Sequence, residues 1–463
     1  MYYRLTDDYT LHSFLYRNYY LYHRSKPEPS QINEKDFMLL LDCDSKHDLI
    51  ESEPIHILTD KGIIEPCGKG EASSGRVFHQ HHEHRYVQAI NLMVTGKCNY
   101  NCLHCFNASD NADRMEEWEL KDLVRLFEEA ASCGIHSVTL TGGEPMLHPH
   151  FREIVQEIKR NGLVLEKLTT NGFFINEDIL DMFLEMGISP QIKISFDGIY
   201  HHNYMRGHKG AIESTLSAFR LCKKKGFDTF AQTQVFKDNL PTMKDTLCLL
   251  EDAGVKTMRI IRTTPPPRWA LTQPEGSLSF DEYFEAMMDL AKWYMGTRHE
   301  ADLIMWRFLV LSSKRGTYHM INVTQKDGIY RPASSVCLGS RMMMAITCEG
   351  DVIPCMQLGG ILSDLGVKFD SLKERCLTDI IKEGRWLDAV CRNRYWLREN
   401  NRKCDECEWF GYCGGGCRAL GILDSDVRKG IYESSASDPL ACVFFKNGWF
   451  ERIKEEFKDY EEV

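Results

Sequence analysis

A chain of 463 residues is too long for one hydrophobic core and implies two or three domains. Its apolar fraction of 43% is globular, and no apolar run is long enough to span a bilayer. The formal net charge of −11 argues against a nucleic-acid backbone as main partner.

The first residues, Met1-Tyr2-Tyr3-Arg4-Leu5-Thr6-Asp7-Asp8, lack the pattern of a signal peptide, so a cytoplasmic protein is expected. Residues 1–68 read as a small α+β unit. Thr10–Tyr16 and Tyr19–Tyr22 have strand composition, and Pro27 and Pro29 break the run. Asn33-Glu34-Lys35-Asp36 opens a helix that buries Phe37, Leu39, Leu40 and Leu41. A second helix near Ile55–Thr59 ends at Lys61-Gly62. The order and size of these elements are winged-helix-like. Residues 69–85 are Gly-, Ser- and His-rich and read as a solvated linker, although His79, His81, His82 and His84 could bind metal.

From Val87 strands and helices alternate. Strands are expected at Ala89–Val94, Ser137–Thr141, Leu163–Thr169, Gln191–Phe196, Phe230–Phe236 and Thr257–Arg262. Helices between and after them span Glu119–Cys133, Phe151–Asn161, Glu177–Met186, Ala211–Lys225 and Thr242–Ala253. Lys223-Lys224-Lys225 suits the negative end of a helix. Six such units imply a parallel sheet, either open and doubly wound or a partial barrel. A further helix spans Phe280–Met295, and beyond residue 333 the pattern breaks into a cysteine-rich, strand-poor region.

Eighteen cysteines in a cytoplasmic chain point to metal or catalysis rather than disulfides. Cys98, Cys102 and Cys105 form a C-x3-C-x2-C triplet after the first core strand. Three thiolates are one short of a closed zinc site or a fully ligated cubane. His104 could complete a zinc site. Gly142-Gly143-Glu144-Pro145 ends the second strand, Thr170-Asn171-Gly172 the third and Ser195-Phe196-Asp197-Gly198 the fourth. Glu144 can accept from an ammonium group, and Ser195 and Asp197, alternating on one face, suit ribose hydroxyls. Arg206-Gly207 offers a guanidinium fork for a carboxylate.

A second set follows: Cys337, Cys355, Cys404-x2-Cys407-x5-Cys413-x3-Cys417 and Cys442. C-x2-C elements serve zinc and iron–sulfur sites alike. The remaining cysteines (Cys43, Cys67, Cys133, Cys222, Cys248, Cys348, Cys376 and Cys391) are scattered, and most suit small buried positions.

On these motifs the chain resembles the radical S-adenosylmethionine (radical SAM) enzymes with a C-terminal SPASM domain, in particular the thioether-forming sactipeptide and ranthipeptide maturases. The resemblance implies an α/β fold. A partial (β/α)6 barrel at 86–320 lies between an N-terminal winged-helix-like recognition unit at 1–68 and a SPASM domain at 321–450. An acidic tail follows at 451–463. It implies a 4Fe–4S cluster on Cys98, Cys102 and Cys105, with S-adenosylmethionine (SAM) on its open iron. Gly142, Gly143, Glu144, Thr170, Asn171, Ser195, Asp197 and Arg206 would line the SAM site. Glu144 is assigned to the amino group and Arg206 to the carboxylate.

Two auxiliary clusters are implied, one on Cys404, Cys407, Cys413 and Cys442, the other on Cys337, Cys355 and Cys417. Cys348, in the expected hairpin turn Cys348-Glu349-Gly350-Asp351, is left out. The implied partners are a ribosomally made precursor peptide and a flavodoxin- or ferredoxin-type electron donor, with no nucleic acid and no membrane. The implied reaction cleaves SAM to a 5′-deoxyadenosyl radical, removes a hydrogen from the peptide and joins a cysteine sulfur to that carbon.

Other readings are carbon–carbon or carbon–oxygen cross-linking, sulfatase-maturase-like oxidation, a radical SAM dehydrogenase, and a zinc-ribbon adaptor without catalysis. Met356 stands where sulfatase maturases place an aspartate base. Arg262–Trp269, with three prolines, is a candidate peptide-contact loop or a barrel terminator.

Overall fold

The computed structural model describes residues 1–15, 17–71, 78–105, 116–263, 275–337, 342–357, 367–424 and 433–463. The chain begins with β1 (Tyr2–Leu5), β2 (Tyr9–Phe14), β3 (Asn18–His23) and β4 (Ser30–Ile32). Helices α1 (Glu34–Asp42) and α2 (Glu53–Asp60) follow, then β5 (Ile64–Cys67) and β6 (His79–His82). β1 and β5 form an antiparallel ribbon, and a four-stranded sheet has the order β4-β3-β2-β6. Asn33 caps α1, its side chain accepting the Asp36 N–H at 2.8 Å. Phe37 and Leu40 then pack against Leu11 and Leu21 in a core of their own.

The stretch expected to be a solvated linker contains β6, which pairs in parallel with Leu11–Phe14 of β2. Its histidines are structural. His82 stacks on Phe14 with centroids 4.5 Å apart and shares a 3.1 Å hydrogen bond with His12. The Ser13 hydroxyl lies 2.9 Å from both His79 and His81. Burial pushes His12 down to about 3 and His82 to about 4, so both rings are neutral at pH 7. Tyr22, donating to the Gly134 carbonyl at 2.6 Å, ties this unit to the barrel.

The barrel strands are β7 (Ala89–Met93), β8 (Ser137–Thr141), β9 (Val164–Thr170), β10 (Gln191–Ser195), β11 (Thr229–Val235) and β12 (Thr257–Arg262). Helices α3 (Leu120–Ser132), α4 (Phe151–Arg160), α5 (Glu177–Glu185), α6 (His202–Arg206), α7 (Ala211–Lys225) and α8 (Met243–Asp252) connect or follow them. α4 shows why these segments are helical: Phe151, Ile154, Val155 and Ile158 recur on one buried stripe. Lys223 to Lys225 occupy the last turn of α7, and Lys224 and Lys225 also pair with Glu177 and Asp181 of α5. In β10 the residues alternate. Ile192 and Ile194 are fully buried, while Gln191, Lys193 and Ser195 face the barrel interior.

After the helix Phe280–Met295, β13 (Asp302–Met305) joins β12 in parallel. β14 (Leu309–Ser312) and β15 (Thr317–Met320) reverse direction. β16 (Met343–Ile346) pairs in parallel with β7, and β17 (Asp351–Ile353) and β18 (Asp370–Ser371) follow antiparallel. Among the described residues one thirteen-stranded sheet therefore runs from β18 to β19 (Glu461–Glu462). Its parallel part forms the partial barrel of an α/β fold.

The sequence pattern separates residues 321–450 from the barrel, whereas the structure carries the sheet across that boundary. Trp386, Phe444 and Trp449 share one core with the barrel strands. The acidic terminal segment packs back on the chain. Arg452 pairs with Glu285 at 2.7 Å, and β19 pairs with β15. No described helix is long and apolar enough to cross a membrane.

Candidate cofactor site

The cysteine loop leaves β7 and is held by backbone. Asn101 N–H donates to Arg206 O at 3.2 Å, and Leu103 N–H donates to Met205 O at 2.9 Å. Gly207 follows at φ 58°, where an added Cβ would stand 2.4 Å from Asn101 O, so only glycine permits this approach. Tyr100 stacks on His208 with centroids 4.4 Å apart, and its hydroxyl lies 3.2 Å from Ser214 Oγ.

Gly142 and Gly143 place the turn after β8 flush against the root of this loop. Gly143 N–H donates to Thr95 O and Glu144 N–H to Lys97 O, both at 2.8 Å. A Cβ on Gly143 would lie 2.1 Å from Lys97 O, and one on Gly142 2.4 Å from Thr95 O. The close approach these glycines allow is thus first to the loop's own backbone, and both also line the chamber.

Glu144 is fully buried beneath the chamber wall. Its carboxylate accepts from Thr170 Oγ1 at 2.8 and 2.9 Å, from Asn171 N–H at 2.8 Å and from Met146 N–H at 3.3 Å. Burial pushes it up to about 7 despite those donors. Its partners Thr170 and Asn171 line the chamber. Asn171 Nδ2 in turn donates to Asn99 Oδ1 at 2.7 Å and lies 4.0 Å from Cys98 Sγ.

Ser195 lines the chamber, but Asp197 does not. Beyond the end of β10 the chain turns, and Asp197 points into the protein. Its Oδ2 is 2.8 Å from Arg206 Nε and its Oδ1 accepts from Gln234 N–H at 2.9 Å. In this arrangement it positions Arg206. Burial alone would raise Asp197, but Arg206, with His104 and His202, holds it below the usual carboxylate range. His202 Nδ1 accepts the Asp197 N–H at 3.0 Å, which puts the ring proton on Nε2 toward Thr215. Arg206 Nη1 lies 3.8 Å from Cys102 Sγ.

Cys98, Cys102 and Cys105 share one end of a chamber of about 590 Å³. Its walls are the inward side chains of the barrel strands, and Met343, Met356 and Gln357 close one side. A larger cavity of about 1040 Å³, between the N-terminal sheet and α3–α4, has no cysteine in its lining. The chamber residues suit a cluster and SAM. Three thiols converge on one mouth, and the buried His104 Nδ1 and Asn99 Nδ2 beside them have no partner. Burial pushes Cys98 up to about 12, so a metal must displace its proton. Among the described residues no three His, Cys, Asp or Glu side chains are gathered as a single metal ion requires.

The C-terminal cysteines lie near one another, with Arg307 close to both Cys413 and Cys417. Cys442 feels the charges of Cys404 and Cys407, and Cys413 feels that of Cys442. Cys417 feels Cys337, and Cys417 and Cys355 pack on the same small apolar cluster. Gly414, Gly415 and Gly416 all have positive φ, looping the chain between Cys413 and Cys417. Asp438 anchors this loop: its Oδ2 accepts from Cys417 N–H at 2.7 Å and lies 2.6 Å from Arg307 Nη2. Cys348 is buried in the β16–β17 turn and its thiol donates to Glu349 at 3.3 Å, away from these cysteines. Of the other scattered cysteines, Cys43, Cys133 and Cys222 are buried, while Cys248 and Cys376 are exposed. Residues 264–269 of the proline-rich loop lie outside the described residues; Arg262 Nε donates to Leu278 O at 2.6 Å.

Sequence reasoning passed over His202, Lys193 and Arg259. Lys193 had a signal, since it precedes Ser195 by two in the same strand and must share its face.

Residues 92–250 match the family described as the Radical SAM superfamily. An AdoMet-dependent heme synthase of Methanosarcina barkeri is 25% identical over 334 residues, 70% of this chain and 89% of that protein. A PqqA peptide cyclase of Granulibacter bethesdensis is 24% identical over 336 residues, 70% of this chain and 80% of that protein. Streptococcus suis SuiB, in its structure with S-adenosylmethionine, superposes with a TM-score of 0.61 at 13% identity, covering 95% of this chain and 99% of that one. The chain thus carries a radical SAM domain at residues 92–250 and is related to a peptide cyclase and to a heme synthase.

Proposed function

We propose that this protein is a peptide maturase that joins a cysteine sulfur to a carbon of the same precursor peptide. The exposed edge of the N-terminal sheet carries the reading. Strand β4 ends that sheet, and its Ser30 and Gln31 are exposed. An extended leader peptide can add there as a further strand. The likeness to SuiB runs through this unit, and one SuiB structure, covering 94% of this chain, carries the precursor peptide SuiA.

When bound, a cluster on Cys98, Cys102 and Cys105 together with SAM supplies the one-electron chemistry that takes a hydrogen atom from an unactivated carbon. The chain's own residues hold and orient. Arg206, fixed by Asp197, faces the cysteine loop, while Ser195, Thr170 and Asn171 offer polar groups to the chamber. Met356 lines that chamber where a sulfatase maturase has an acid, so no side-chain base is supplied there. Cys337, Cys355 and Cys417 are one thiol short of a filled cubane, and a peptide thiolate is the donor such a set lacks. The electron donor is of the flavodoxin or ferredoxin type.

A second reading has an observation of its own. The heme synthase relative aligns over 89% of its own length, so a radical reaction on a tetrapyrrole is the competing use of these parts. Anaerobic reconstitution tests both. Three cubanes give about twelve irons per chain. SAM and dithionite should then yield 5′-deoxyadenosine, with a cysteine-containing precursor losing two hydrogens. Turnover of an iron porphyrin instead would select the second reading, and zinc without SAM cleavage would overturn both.

A further inference from the structure

The chamber wall carries four cationic side chains, Lys167, Lys193, Arg206 and Arg259, and no Asp or Glu among its described residues. Two of the four are paired: Lys167 with Glu166 and Arg206 with Asp197. Among the described residues the other two form no ion pair. Arg259 Nη2 donates to Gln232 Oε1, while its Nε is buried without a partner. Lys193 Nζ and the Arg259 guanidinium lie over the same Phe230 ring, 5.8 and 5.4 Å from its centroid.

The sheet register explains the convergence. Lys193 of β10 stands opposite Phe230 of β11, and Gln232, two residues on, stands opposite Arg259 of β12. Ser195 is level with Gln232, so the pair lies at and just below the depth of the strand-end residues. Desolvation, with the charges of Arg259 and Lys167, drives Lys193 well below its ordinary range, and desolvation lowers Arg259 to about 10. Two cations with no acid in reach are costly unless an anion arrives. The resemblance gives the SAM carboxylate to Arg206 at the cysteine end, which leaves this pair for something else.

We propose that Lys193 and Arg259 form a carboxylate-binding subsite for the substrate, with Phe230 as its floor and Gln232 orienting the guanidinium. The subsite rests on the radical-enzyme reading above. Within the peptide reading its occupant is an acidic side chain of the precursor, placed beside the residue that is modified. A free carboxylic acid or a tetrapyrrole propionate carries the same chemistry.

The test is equilibrium binding, independent of turnover. Cluster-loaded, SAM-bound protein is titrated calorimetrically with N-acetylglutamate N-methylamide, its glutamine isostere and glutarate. The glutamate probe should bind at least tenfold tighter than the glutamine probe, and raised salt should shrink the difference. R259Q and K193M should each reduce the preference to within twofold, whereas R259K should retain part of it. Iron content and SAM affinity report whether each variant is intact, and the wild-type comparison stands without any variant. Equal binding of the two capped probes by wild type, with glutarate also failing to bind, would overturn the subsite. A preference surviving in the R259Q/K193M double variant would do the same. Glutarate binding tighter than the capped glutamate would keep the subsite and instead count against the peptide reading.

Discussion

Asp197 Oδ2 lies 2.8 Å from Arg206 Nε, with both side chains buried under the cysteine loop whose Asn101 N–H donates to Arg206 O. A carboxylate after the fourth strand thus fixes the residue that braces the cysteine loop. D197N removes one partner of a buried pair and should cost roughly 3–5 kcal/mol of stability. SAM affinity should fall at least tenfold. Denaturant titration and SAM binding measure the two effects, and unchanged values in both would contradict the bracing role.

Gly143 meets the cysteine loop so closely that a methyl group would collide with Lys97 O at 2.1 Å. G143A should therefore displace the loop while sparing the C-terminal cysteines. Reconstituted iron is expected to drop by about four per chain, with SAM cleavage abolished. Iron analysis with electron paramagnetic resonance would show which signal disappears.

Glu144 gives a pH signature. Burial raises its carboxyl to about 7, so the folded state favours the protonated form. Its contribution is complete below the unfolded value of 4.5 and is lost as pH rises to about 7. E144Q lacks this titration. Between those limits the stability of E144Q relative to wild type should climb by about 3 kcal/mol, on top of a constant offset from altered hydrogen bonds. Urea midpoints of the two proteins at pH 5, 6, 7 and 8 would show converging or diverging curves, and parallel curves would exclude the shift.

The two implied sets of C-terminal cysteines should empty separately. C442A and C417A are each expected to lose about four irons, and the double variant about eight. If both single variants lost the same four, Cys442 and Cys417 would serve one site and the partition would fail.

Much of the barrel was readable because its strands bury one face. The alternation in Gln191–Ser195 and the stripe Phe151, Ile154, Val155, Ile158 encode burial locally. Asp197 escaped because it lies past the strand end, where the period of two no longer decides direction. β6 escaped because histidines read as polar, while stacking on Phe14 and the His12 hydrogen bond bury them. β16 is four residues long and pairs with a strand some 250 positions earlier, a contact no local pattern reports. Lys193 and Arg259 sit on different strands, so only the register shows that they share one ring.

The strand β16 lies along β7, and Met343, Met356 and Gln357 come from its neighbourhood to close the chamber. The C-terminal region is therefore more than a bearer of cysteines. It forms part of the chamber wall, so exchanging that region between relatives should alter which molecules the chamber admits. A chain cut before β16 would lose a wall of the chamber and bare the backbone of the strand that leads to the cysteine loop.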